Sequence, residues 1–363
     1  MRIESASMSD NNTPPNKQRK FSVVHMKDQW YVACISTELK VGKVIKRTIM
    51  GQPLVLFRNA TGEVGTLLDV CPHRNVPLSM GVVNEENLQC RYHGWEFSTT
   101  GQCQKVPCLL NGETKKGRTA TRFATTEESG FVWTYMTPDV EPDKRPFQFP
   151  TVGSGYTHLR RCVEAEATLH ATIENALDVP HTAYLHQGLF RSNKKTNEIE
   201  AIIRRFSDRV EAEYVGEPRP TGLLGRLLAP SGGVVTHFDR FFLPSIAQVE
   251  YHVGKENHIV VSAVGTPVQD FQTKLYALVS FNTRIPGWLL RPLVEPFALR
   301  IFQQDAVILK GQTETIQQMG GEKFSSTELD VLGSHIWRLM KDAAAGKIHS
   351  NQAPYEKRIK LRA

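Results

Sequence analysis

Two short segments, Cys71-Pro72-His73 and Cys90-Arg91-Tyr92-His93, each offer a thiol and an imidazole, in C-x-H and C-x-x-H spacing, with sixteen residues between His73 and Cys90. Thiolate and imidazole serve both zinc and iron–sulfur chemistry, so ligand type alone leaves two choices. Zinc fingers usually pair Cys with Cys and His with His. Here each loop gives one of each, which suits a [2Fe–2S] cluster with both thiolates on one iron and both imidazoles on the other. Replacing thiolate by neutral imidazole raises the potential above that of an all-Cys cluster. A structural Cys2His2 zinc site is the competing assignment. Cys103 and Cys108 are left over and are expected to be ordinary strand or loop residues.

A second group follows at Asn175-x-x-Asp178-x-x-His181-x-x-x-x-His186. On an ideal helix His181 and His186 would stand about 140° apart, at roughly 100° per residue, so a shared metal needs a local irregularity. Pro180 supplies one. Two histidines and a carboxylate with open coordination positions is the arrangement non-haem iron(II) oxygenases use. Asp305 fits as the carboxylate, because its helical neighbours Ile301, Phe302, Ile308 and Leu309 put it on an apolar stripe. A buried carboxylate needs a partner or a metal. An ion pair with Arg300 or Arg284 is the alternative, and Asp270, Asp239 and Glu295 look like residues of turns or exposed faces.

These groups need elements to hold them. From Gln29 to Met136 short apolar runs (Trp30–Ile35, Pro53–Phe57, Val64–Val70, Phe131–Tyr135) alternate with turn residues, and Asn59–Gly62 and Ser98–Gly101 have tight-hairpin chemistry. A small all-β domain over 26–140 follows, with a proline-bearing linker from Pro138 to Pro150. Beyond it Ala165–Leu177 reads as a helix. Glu198–Tyr214, Val234–Val253, His258–Val268 and Lys274–Thr283 read as longer strands, and helical periodicity returns from Leu289 to Met340. Strands with helices segregated at the ends predict an α+β domain on an antiparallel sheet over 141–345. Residues 1–25 read as a mobile leader and 346–363 as a basic tail.

A chain of 363 residues can bury two cores, and 40% hydrophobic with 22% charged residues excludes a fibrous or disordered class. The net charge of +7 lies partly in Lys357, Arg358, Lys360 and Arg362. Such an excess suits an acidic protein partner or a membrane surface, and no nucleic-acid motif accompanies it, so no nucleic-acid partner is expected. Six cysteines without a disulfide-framework pattern point to a reducing cytoplasm. Met1–Lys20 lacks the apolar core of an export signal, and Ile285–Phe302 is too charged for a spanning helix.

Together the residues resemble the Rieske non-haem iron oxygenase terminal components, in the branch that includes vanillate O-demethylase, dicamba monooxygenase and pheophorbide oxygenase. The resemblance runs from Trp30 to about Met340, and Arg74-Asn75 and Gly94-Trp95 after the two loops match the oxygenase type. The extra bridging cysteines of the respiratory type are missing. The resemblance implies an N-terminal Rieske [2Fe–2S] domain followed by a helix-grip, START-like catalytic domain. It implies that Cys71 and Cys90 bind one cluster iron, His73 and His93 the other, and that His181, His186 and Asp305 hold a mononuclear Fe(II). Asp178 would bridge His181 to a cluster histidine of a neighbouring subunit, and Asn175 would line the iron site. A homotrimer is implied, as is a separate NAD(P)H-dependent reductase or ferredoxin, since the chain has no flavin or nicotinamide motif.

The implied activity is O2-dependent hydroxylation, demethylation or desaturation, by mono- or dioxygenation, of an apolar, aromatic or polycyclic (steroid-like) substrate. The apolar stretches Gly222–Pro230 and Pro286–Leu290 suit such a substrate or peripheral contact with a membrane, and plain core packing is the competing use. Two other classes stand against the enzyme: a Rieske electron carrier, which would need only about 100 residues, and a hydrophobic-ligand-binding protein without oxygenase activity.

Overall fold

Alternating apolar and polar residues punctuated by turn residues favour hairpins, and hairpins are what the N-terminal third builds. The computed structural model describes residues 20–107, 109, 117–150, 155–186, 198–217, 235–253, 257–283, 286–347 and 355–362. One sheet of the first domain contains β1 (Trp30–Ile35), β2 (Val44–Ile49), β3 (Gln52–Arg58), β4 (Val64–Leu68), β9 (Arg122–Glu128) and β10 (Phe131–Pro138), ordered β1-β10-β9-β4-β3-β2. A smaller one contains β5 (Val82–Asn84), β6 (Asn87–Gln89), β7 (Glu96–Phe97) and β8 (Cys103–Lys105) in sequence order. The two-residue period of β3 divides the core. Leu54 and Leu56 pack with Tyr31, Cys34 and Val132, whereas Val55 and Phe57 pack with Leu88, Phe97, Cys71 and Cys90 beneath the thiol loops.

The second domain is an eight-stranded antiparallel sheet with few helices. Its strands are β11 (Thr157–Ala165), β12 (Glu198–Arg205), β13 (Arg209–Val215), β14 (Val235–Phe242), β15 (Ile246–Val253), β16 (Asn257–Gln269), β17 (Gln272–Asn282) and β18 (Tyr355–Arg362). They run in the order β11-β17-β16-β15-β14-β13-β12-β18. On one face lie α1 (Leu169–Ala176) and α4 (Gly333–Ala344), which join Phe241, Ala247, Ala263 and Leu275 in a single core with Ile173, Ile336 and Met340. The long α3 (Gly287–Gln318) seats Leu290 against Leu159, Val279 and Phe281, and Leu309 against Ala165 and Ala167. The opposite face meets the first domain through Ile246, Val264, Tyr276 and Leu278 against Val32, Phe131 and Trp133. Tyr276 Oη and Thr266 Oγ1 donate to the carbonyls of Ala33 and Val32 at 2.8 Å each, so the domain contact is hydrogen-bonded as well as apolar.

Gly265 lets α1 come close, because a Cβ there would stand 2.6 Å from Leu169 Cδ1. Thr168 starts the helix by accepting from the Ala171 N–H at 3.1 Å, leaving one fewer unsatisfied donor.

Several expectations change. The predicted helix 165–177 begins only at Leu169, since Thr157–Ala165 is a strand paired along its length with β17. The apolar run 198–214 and the described part, 235–253, of the second run are hairpins, each folded at a polar or proline turn around Asp208 and Leu243-Pro244-Ser245. The basic stretch at 355–362 is the eighth strand, not a tail: Leu361 is buried in the core and Ile359 packs against it, while Lys360 between them is exposed. Part of the expected leader is also packed. Val24 is a core residue, and Ser22 donates twice to Glu322 Oε1, at 2.7 Å from its N–H and 2.6 Å from its hydroxyl. Its first nineteen residues lie outside the described ones. Residues 139–150 carry no regular element, and Phe147 and Phe149 within them pack between the domains. No helix among the described residues is long and apolar enough to cross a membrane.

Candidate metal centres

The two thiol loops share one backbone design. In the first, the Cys71 N–H donates to Val76 O at 2.9 Å and its carbonyl accepts from Asn75 N at 2.9 Å. In the second, Cys90 N donates to Trp95 O at 2.8 Å and its carbonyl accepts from Gly94 N at 3.0 Å. Each loop turns at a left-handed residue four beyond the cysteine, Asn75 (φ 58°) and Gly94 (φ 69°), types that tolerate that region. Asp69 braces the first loop by accepting from the Ser79 N–H at 2.6 Å and its hydroxyl at 2.7 Å.

This symmetry gathers the four predicted ligands. Cys71 and Cys90 are both buried, each 2% exposed, and the His73 and His93 rings lie 4.5 Å apart. The Trp95 ring stacks on His73 at 4.7 Å and 5°. Burial pushes the Cys71 thiol up to about 11, with the Cys90 thiol adding to it, and burial followed by the nearby His93 and Arg74 depresses His73. Paired buried thiols beside two imidazoles, of which His73 favours the neutral form, suit a metal cluster, and His73 Nδ1 is buried without a hydrogen-bond partner, as an unliganded metal ligand would be. The residues therefore fit a [2Fe–2S] group. Cys103 is a buried strand residue beside this core, and Cys108 lies outside the described residues.

The second group is built by breaking a helix. α1 ends at Ala176, Asp178-Val179-Pro180 turn the chain, and His181 and His186 flank the four-residue α2 (Thr182–Leu185). His186 leaves helical geometry (φ −104°, ψ 38°), which removes the angular conflict an unbroken helix would impose. The two Nε2 atoms stand 3.2 Å apart. Asp305 Oδ1 on α3 lies 3.5 Å from His181 Nε2 and 3.1 Å from His186 Nε2. With metal bonds of about 2.1 Å, neighbouring ligands stand about 3 Å apart at right angles and about 3.4 Å in a tetrahedron. The triangle already has that size. Asp305 Oδ1 is buried without an aligned hydrogen bond, so a cation would satisfy it. The chemistry fits Fe(II) with positions left open.

Burial opposes a charged His181, but Asp178 and Asp305 outweigh it and raise its pKa to about 9. Burial would raise Asp305, and the two histidines outweigh it and hold it below its usual range. The expected stripe beside Asp305 is narrower than predicted: Leu309 is buried and Phe302 packs into the core, but Ile308 is 52% exposed. Arg300 is exposed and Arg284 lies outside the described residues.

Asp178 accepts from the His181 backbone N–H at 3.3 Å and holds Oδ2 3.3 Å from His181 Nδ1. Asn175, half-buried in the last turn of α1, makes no hydrogen bond to the triad among the described residues. Gln304 was not singled out from the sequence, yet its Oε1 stands 2.9 Å from His186 Nδ1. Its neighbour Asp305 was the available signal, since a ligand imidazole needs an acceptor on its other nitrogen. The lesser candidates are engaged elsewhere: Asp270 with His25, Glu295 with Arg161, and Asp239 with His237. Asp239 is 1% exposed in β14, not at a turn or an exposed face, because its side chain points into the helix-bearing side of the sheet.

Comparison with known proteins identifies the domains that carry these groups. Residues 29–118 match the Rieske [2Fe-2S] domain, and residues 165–346 match the vanillate O-demethylase oxygenase C-terminal domain. The dicamba O-demethylase oxygenase component of Stenotrophomonas maltophilia is 33% identical over 188 residues, 49% of this chain and 52% of that protein. The 4beta-methylsterol monooxygenase of Methylococcus capsulatus is 32% identical over 192 residues, 50% of this chain and 51% of that protein. The alignments thus span about half the length of these curated relatives. The crystal structure of dicamba monooxygenase bound to 3,6-dichlorosalicylic acid covers 90% of this chain and all of its own, with a TM-score of 0.77 at 21% identity, and shares the fold. With both domain types in one chain, this protein belongs to the Rieske non-haem iron oxygenase family, in the branch with a vanillate O-demethylase-type C-terminal domain.

Proposed function

We propose that the chain is the terminal oxygenase of an O2-dependent system that hydroxylates, demethylates or desaturates an apolar aromatic or polycyclic substrate. The observation that carries this is the triangle of His181, His186 and Asp305, sized for a metal and left without other partners at Asp305 Oδ1. When bound, the cluster supplies single electrons and the mononuclear iron(II) supplies open positions for dioxygen. Cys71, Cys90, His73 and His93 hold the first group, and His181, His186 and Asp305 hold the second. Gln304 keeps the His186 proton on Nδ1, so that Nε2 is free to bind. Asp178 Oδ2 lies 3.3 Å from His181 Nδ1, without an aligned hydrogen bond there, and offers its remaining surface to a partner. The names of two relatives, which act on dicamba and on a 4β-methylsterol, support the substrate class.

The working form we propose is a homotrimer fed by a separate NAD(P)H-dependent reductase or ferredoxin, located in the cytoplasm. The cluster loop reaches the surface at His93 and its neighbour Tyr92, which is 61% exposed, and the α2 turn that carries the triad histidines is exposed at Tyr184, 72%. Asp178 is about one-third exposed, open to a histidine of another subunit. Trp288 and Leu289 at the start of α3 are exposed and form the surface for a bulky substrate or a membrane, whereas Leu290 is core. Gly222–Pro230 lies outside the described residues.

Anaerobic purification with iron and sulfide counts, an electron paramagnetic resonance spectrum of the reduced protein, and a screen of aromatic methyl ethers and sterols for reductase-dependent oxygen uptake test the proposal. A sulfide-free chain with zinc in the thiol loops would refute it. A chain with the cluster but no second iron would be an electron carrier.

A further inference from the structure

The sheet face opposite α1 carries a second convergence of metal-binding side chains. Glu250 and His252 lie two apart on β15 and therefore share a face, and His258 on β16 is paired in register with His252. Their rings stack at 3.9 Å and 12°, which presents the two Nε2 atoms side by side. Both atoms meet the same carboxylate oxygen: Glu250 Oε1 is 3.0 Å from His252 Nε2 and 2.8 Å from His258 Nε2. The other carboxylate oxygen is held by Arg240 from β14, and Tyr156 Oη fixes the far nitrogen of His258, Nδ1, at 2.5 Å.

We propose that Glu250, His252 and His258 form a further metal site, separate from the cluster and the iron triad, for a divalent transition ion of the zinc type. Two imidazoles and one carboxylate with a fourth position open to solvent is a zinc ligand set. Tetrahedral ligands at bonds of about 2.1 Å stand about 3.4 Å apart, so each contact opens by only about half an ångström when the ion replaces the shared protons. The supports behind the ligands are those a metal site needs: a hydrogen bond on the second ring nitrogen of His258 and a cation holding the free carboxylate oxygen. His252 is 45% exposed on its side chain and gives the ion a way in, whereas Glu250 and His258 are about one-fifth exposed. Sulfur is absent from the set, which disfavours the thiophilic ions. A bound ion would tie β15 to β16 and, through Tyr156, to the start of β11 where the chain leaves the interdomain linker.

The test uses the iron-loaded holoenzyme, equilibrated with zinc and then passed into metal-free buffer, with zinc per chain measured by elemental analysis and its ligands by zinc-edge X-ray absorption. The expected result is retained zinc with nitrogen and oxygen ligands and imidazole scattering. It is lost in His252→Asn and in His258→Asn and kept in His181→Ala/His186→Ala. His252→Asn is the safer variant because of its exposure, and an unchanged cluster spectrum reports its folding. Three results overturn the proposal: no retained zinc in the natural sequence, equal zinc in His252→Asn, or loss of the zinc with the His181/His186 pair. Sulfur in the zinc coordination overturns it too, by assigning the ion to the Cys71 and Cys90 loops.

Discussion

Replacing Gln304 by Leu removes the acceptor on His186 without touching a metal ligand. The His186 side chain is 2% exposed, its Nδ1 is 2.9 Å from Gln304 Oε1, and its Nε2 faces Asp305 Oδ1 at 3.1 Å. A cation on Nε2 requires the proton on Nδ1, and Gln304 Oε1 accepts that proton. With Leu in place, the Nδ1–H is buried without a partner, a cost of about 1–3 kcal/mol. The metal-free imidazole escapes it by moving the proton to Nε2, where Asp305 accepts, and then has to give up that arrangement to bind the ion. The cost therefore falls on metal affinity, about 1.4–2.7 kcal/mol or a 10- to 100-fold loss. Anaerobic competition for iron(II) against a chelator measures it directly, with cluster absorbance as the internal measure of folded protein. Gln304→Glu retains an acceptor at the same reach and restores affinity to the original level or above. Affinity of the Leu variant within about twofold of the original, or a Glu variant weaker than Leu, would refute the reasoning.

Asp178→Asn leaves iron and sulfide content intact, yet lowers reductase-driven oxygen uptake by on the order of a hundredfold; unchanged uptake removes Asp178 from the path between subunits. Thr168→Ala deletes the α1 cap and destabilises that helix by about 1 kcal/mol, read as faster amide exchange in α1 than in β16. His237, buried between Glu217 at 2.7 Å and Asp239 at 2.9 Å, is opposed by burial but lifted by the two carboxylates to about 9. Because its folded pKa lies above the ordinary histidine value of about 6.5, the stability it contributes is full below that pH and fades as pH rises toward 9, by about 3 kcal/mol in total. Urea unfolding against His237→Asn should show a difference that shrinks across that interval, and a difference that grows would overturn the assignment.

The candidate metal-binding groups were legible because such residues are named by their side chains and spaced by short loops. Cys71, His73, Cys90 and His93 announce a mixed thiolate–imidazole group from type and spacing alone. His181 and His186 stood out as a pair by their spacing, although the departure from helix that lets them meet lies at His186 and not at Pro180, which precedes both, and Asp305 stood out by the expense of burying a carboxylate. The β character of the first domain was equally local, written in alternation and turn residues.

What tertiary structure decided lies across strands. Nothing near Leu243-Pro244-Ser245 outweighed the apolar run around it enough to show a hairpin, and Ile359 and Leu361 read as incidental among basic residues until β12 paired with them. Gln304 acquired its role only when α3 was laid beside His186. Glu250 and His252 look like ordinary strand residues, and His258 completes their triangle because β15 and β16 meet in one register and not its neighbour. A side chain's chemistry is a property of its residue. Which side chains share a face is a property of the pairing between distant segments, set by burial over the whole sheet and written at no single position.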